Sequence, residues 1–89
     1  MSEASNAWRV DLDGQEHDIE VDHSTMTGKI VVKLDGAVVD EDRLLLTRKP
    51  LEFTVAGHPA RVTVEYAYGG MAARSSLHVD ERYVEPLSR

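Results

Sequence analysis

Shifted against itself by 45 positions, the chain lays its apolar residues over one another without a gap. Trp8 falls on Phe53, Val10 on Val55, Ile19 on Val64 and Val21 on Tyr66. Further along, Met26 meets Met71, Val32 meets Leu77, Leu34 meets Val79 and Val39 meets Val84. Asp35 meets Asp80, each just after a strand-like run. Identities are few over the overlay as a whole, so what repeats is a structural pattern. Such a period constrains the fold before any single residue does, because each copy must bury its apolar face against the other. The expectation is two groups of strands around one core, superposed by a pseudo-two-fold rotation, with Trp8 equivalent to Phe53 and Ile19 to Val64.

Inside each copy the apolar period is two. Trp8, Val10 and Leu12 alternate with Arg9, Asp11 and Asp13, and Ile19 and Val21 alternate with Asp18, Glu20 and Asp22. Leu51, Phe53 and Val55 alternate with Glu52 and Thr54, and Val62, Val64 and Tyr66 with Arg61, Thr63 and Glu65. A period of two marks half-buried strands. Asp13-Gly14 and Asp35-Gly36 are hairpin dipeptides, and Ala56-Gly57 and Asp80-Glu81 fall where further reversals are needed. Residues 23–28 read as a loop, and Lys49-Pro50 as the end of an apolar run at Leu44-Leu45-Leu46. No segment sustains a helical period. The fold class is therefore all-β, a small antiparallel β-sandwich of eight or nine short strands built from two pseudo-repeats. Residues 1–6 are expected to be a disordered tail and 7–87 a single domain, with repeat halves at roughly 7–44 and 51–87. Its core should contain Trp8, Val10, Ile19, Val32, Leu34, Phe53, Val62, Val64, Leu77 and Val79.

Composition narrows the function classes. A domain of 89 residues buries only ~60–65% of its unfolded surface. With no cysteine, no disulfide or thiolate metal site can add to its stability. The net charge of -6, with scattered Lys and Arg, speaks against nucleic acid or anionic lipid as a partner. Met1–Asn6 lacks the basic and apolar segments of a signal peptide, and no apolar run is long enough for a membrane span. A cytoplasmic protein is expected.

The chemistry-bearing motifs are incomplete. Asp11, Asp13, Gly14 and Glu20 fit part of a calcium loop, but Arg9 stands where its first carboxylate belongs and Glu16 where an apolar residue does. His17, His23, His58 and His78 have no zinc-motif spacing. Ser24-Thr25 beside His23, and Ser75-Ser76, are not in nucleophile elbows, and Gly69-Gly70 has no phosphate-loop partners. No catalytic residue, metal ligand or cofactor is expected.

Longer patterns carry a family resemblance. Trp8, Val10, Leu12-Asp13-Gly14, His17, Ile19-Glu20 and His23 run in order, followed by Gly28-Lys29 and then Val32, Leu34-Asp35-Gly36. This resembles the opening of Fas apoptotic inhibitory molecule. Phe53, Val55, Gly57-His58, Leu77, Val79-Asp80 and Val84-Glu85-Pro86 are similar to the end of that family's second domain. The resemblance implies a non-enzymatic β-sandwich module. Eukaryotic members carry two such domains in tandem, are cytosolic, and are associated with protection from death-receptor apoptosis and from stress-induced aggregation. This chain is expected to have one domain.

The functional expectation is a protein-interaction or structural module with an unidentified protein partner. Its predicted contact surface is Lys29, Val31 and Lys33 on the third strand, by sheet augmentation or face packing. The alternative, a small-molecule or lipid-binding sandwich, requires an internal cavity.

Overall fold

Four two-residue turns set the architecture. Asp13-Gly14, Asp35-Gly36, Ala56-Gly57 and Asp80-Glu81 all have positive φ at both positions, between 51° and 87°. That is the signature of type I′, whose twist matches the strands it joins. The computed structural model describes residues 3–24, 27–43, 48–67 and 72–87. They form β1 (Glu3–Leu12), β2 (Gln15–Ser24), β3 (Lys29–Leu34), β4 (Ala37–Arg43), β5 (Arg48–Val55), β6 (His58–Ala67), β7 (Ala72–Val79) and β8 (Arg82–Val84). Two antiparallel four-stranded sheets result, ordered β1-β2-β3-β4 and β5-β6-β7-β8. Among the described residues no helix is long and apolar enough to cross a membrane.

The sheets pack their apolar faces together. Trp8, Ile19, Val21, Ile30 and Val32 come from the first sheet, and Leu51, Val55, Val62, Val64 and Leu77 from the second, all in one buried cluster. Leu34 and Phe53, expected in the core, are only partly buried against it.

The equivalence of the halves differs from the gapless reading. Gly14 corresponds to Gly57, 43 residues on, and the β1–β2 and β5–β6 ladders match at that same offset. Trp8 therefore corresponds to Leu51, not Phe53, and Ile19 to Val62, not Val64. Only the second turn keeps the 45-residue offset, because β7 has 8 residues where β3 has 6. The two offsets differ by two, the period of a strand, so the apolar alternation coincides at either one. Tyr66 as a side chain, Met26, Met71, Tyr68, Gly69-Gly70 and the Leu44–Leu46 run lie outside the described residues.

Strand boundaries also shift. Glu3–Asn6, expected in a disordered tail, instead pair with Val21–Ser24. Backbone pairing needs no apolar side chain, and the Asn6 amide reaches Ser75 Oγ on the other sheet at 3.3 Å. β2 continues through His23 and Ser24 rather than ending at a loop. Pro50 lies inside β5 instead of ending a strand. β5 is an edge strand, and the register turns Pro50's missing N–H toward the unpaired side, where no ladder bond is lost.

Candidate interaction surface

The face of the first sheet that points away from the core is built by alternation. Arg9 of β1, then Asp18, Glu20 and Asp22 of β2, then Val31 and Lys33 of β3 share it. Register sets Lys33 between Glu20 and Val38, and Val31 between Asp22 and Glu41. Lys29 lies opposite Arg43. Arg9 Nε donates to Asp18 Oδ1 at 2.8 Å, and this contact holds the guanidinium above its ordinary value. The predicted contact residues thus lie on one strand: Lys29 is exposed, and Val31 and Lys33 are half-buried. β3 is an interior strand, however, flanked by β2 and β4. Both of its backbone rows are paired, so sheet augmentation at β3 is excluded and only packing on its face remains.

The apolar part of this surface is larger than the alternation suggests. The register shifts between Val32 and Lys33: Lys33 pairs with Val38, but Val32 pairs with Asp40. Val39 is the extra residue of a β-bulge. Val38 and Val39 are consequently both turned outward, 52% and 42% exposed. Val-Val at 38–39 was the signal in the sequence, since two adjacent residues of a regular strand cannot both face the core. β4 is the edge of its sheet, and the bulge interrupts its edge regularity.

A second cluster lies in the turns. His17 Nδ1 is 2.9 Å from Asp35 Oδ2, and the Asp18 N–H donates to Asp35 Oδ1 at 2.8 Å. That backbone hydrogen bond, seconded by His17, holds the Asp35 carboxyl below the usual carboxylate range. In the second sheet His58 Nδ1 is 2.7 Å from Asp80 Oδ2, and its Nε2 is 3.0 Å from Asp13 Oδ2. Hydrogen bonds to Asp13 and then Asp80 raise the His58 imidazole above its ordinary value. Sequence patterns left His58 as a turn residue, because nothing local links it to Asp13, which is 45 positions away. His23 is only 2% exposed, and desolvation lowers its pKa. His78 stacks edge-on against Tyr83 at 5.8 Å. Asp11, Asp13 and Glu20 do not converge: Asp13 heads the β1–β2 turn and Glu20 lies opposite Ala7 and Lys33. Among the described residues no group of three or more His, Asp or Glu side chains is placed to hold a metal ion.

A shallow groove of about 420 Å³ separates β1 from β8, with Arg9, Leu12, Asp80 and Tyr83 among its walls. Past β8 the chain returns to β1, where the Leu87 N–H donates to the Ala7 carbonyl at 2.9 Å. Pro86 immediately precedes that contact.

The family model of Fas apoptotic inhibitory molecule (FAIM1) matches residues 4–87. The chain belongs to the Fas apoptotic inhibitory molecule family. The match spans both sheets, and so covers both turn clusters and the Val38–Val39 bulge. The residues that carried the resemblance serve the fold of this family member: Trp8 and Ile19 fill the core, and the Asp-Gly pairs make the turns. A separate comparison with curated proteins returns no match.

Proposed function

We propose that this Fas apoptotic inhibitory molecule domain is a non-enzymatic, cytoplasmic module that binds another protein through the face of β3 and β4. The carrying observation is the pair Val38 and Val39, adjacent, exposed and on an edge strand beside Val31 and Lys33. Exposed apolar side chains grouped this way, rimmed by Lys33 and Glu41, have the composition of a small contact patch. The lack of cysteine suits a reducing compartment. The ligand-binding alternative has less support, since Trp8, Ile19, Ile30 and Leu77 are fully buried in the space an internal ligand would need.

The test is capture of partners from a cell lysate with the wild-type chain, Val38→Lys and Val39→Lys, each checked for folding by circular dichroism. Folded variants that lose partners retained by the wild type support the β3–β4 face. Folded variants that retain every partner refute it.

A further inference from the structure

His58 is the one place among the described residues where a side chain of the second sheet is held between acids of both sheets. Its Nδ1 faces Asp80 in the β7–β8 turn, at 2.7 Å. Its Nε2 faces Asp13 in the β1–β2 turn, at 3.0 Å. Both contacts can be donated at once only by the protonated ring, since neutral imidazole has a single N–H. We propose that Asp13–His58–Asp80 is a proton-operated latch that ties the two sheets together at one end of the sandwich.

The remainder of the fold makes the latch specific to that end. Asn6, seven residues before Asp13 on β1, binds Ser75 of the second sheet, and Ala7 accepts from Leu87. Seven residues of strand span about 24 Å. β1 is therefore tied by neutral hydrogen bonds near its middle, to the second sheet and to the chain past β8, and by an ionisable bridge just past its C-terminal end. The first sheet has its own His–Asp contact, His17 with Asp35, but it stays within that sheet. The charged groups around His58 are accounted for: Asp13 and Asp80 bind it, and Glu81 next to Asp80 contacts Arg61 of β6 at 3.4 Å. His58 is raised above its ordinary value. The latch is thus fully closed below about pH 6.5 and is lost as pH rises through the raised folded-state midpoint. Once deprotonated, the ring donates to one carboxylate only, and the other is left facing the lone pair of the unprotonated nitrogen. Leu12 and Asp80 both border the groove between β1 and β8, which therefore adjoins the latch.

The experiment is an NMR pH titration of the full chain, following the His58 ring and the Asp13 carboxyl carbon, on the wild type and Asp13→Asn. Asparagine is favoured at the first position of a type I′ turn, so this variant keeps the turn. In the wild type the Asp13 signal should move with the His58 midpoint, which should lie above 6.5. Asp13→Asn should lower that midpoint. The difference in thermal midpoint between wild type and Asp13→Asn should be largest near pH 5.5 and close by pH 9. The proposal is overturned if the Asp13 signal ignores the His58 titration, a result that needs no variant. A His58 midpoint unchanged in Asp13→Asn, or a thermal difference independent of pH, overturns it equally.

Discussion

His17 and His58 hold corresponding aspartates in the two sheets. Each reaches with Nδ1 to the first residue of its sheet's last turn, Asp35 at 2.9 Å and Asp80 at 2.7 Å. In each case the aspartate's own N–H donates to the carbonyl of the residue following the histidine, Asp18 or Pro59. The difference lies in that following residue. Asp18 returns its N–H to Asp35 Oδ1, whereas Pro59 has none to give. The second clasp is therefore the barer one, and its histidine has turned a second nitrogen toward Asp13.

Asp35 should support stability through its carboxylate. Its folded-state value is depressed, so its contribution is present above its ordinary value of 3.8 and disappears as pH falls through the folded value. Thermal melts of wild type and Asp35→Asn should differ at pH 6 and converge toward pH 3. A difference of constant size across that range would contradict the assignment.

His23 should act with the opposite sign to His58. Burial lowers its pKa, so the unfolded chain takes up this proton more readily than the folded one. Stability attributable to it is whole above about pH 6.5 and falls as pH drops toward the depressed folded value. His23→Phe should flatten the acid side of a stability–pH curve measured by urea titration. An acid limb as steep as that of the wild type would reject this.

Leu77→Ala removes a fully buried side chain and should cost about 2–5 kcal/mol. Phe53→Ala should cost less than the 3–5 kcal/mol typical of a fully buried phenylalanine, because Phe53 only borders the core. Equilibrium urea unfolding of both variants checks the order. A larger loss from Phe53 would restore it to the centre of the core.

The β7–β8 turn should be improvable. Glu81 sits at φ 64° where the other three turns carry glycine. Left-handed backbone costs a non-glycine residue on the order of 1 kcal/mol or more, partly offset by the greater unfolded-state freedom of glycine. Its contact with Arg61 is exposed and adds little. Glu81→Gly should therefore stabilise by roughly 0.5–1 kcal/mol in urea titration. A destabilised variant would show that the Arg61 contact outweighs the backbone strain.

What the sequence by itself determined was alternation and reversal. Period-two runs marked which side chains face inward, and Asp13-Gly14 and Asp35-Gly36 placed reversals that only positive φ can make, so two facing groups of strands followed. Register was decided only by the tertiary structure. Offsets of 43 and 45 leave the same residues inward, so alternation cannot separate Leu51 from Phe53 as the counterpart of Trp8; hydrogen-bonded pairing does. Strand order was decided there too, and with it the fate of the Lys29–Val31–Lys33 surface: an interior strand offers a face and no edge. The adjacent valines at 38–39 signalled that one of them must face outward, but the shift in register that makes Val39 the bulge is set by pairing with β3; the reach of His58 to Asp13 depends on contact between the sheets, and a pattern read along one chain has no term for it.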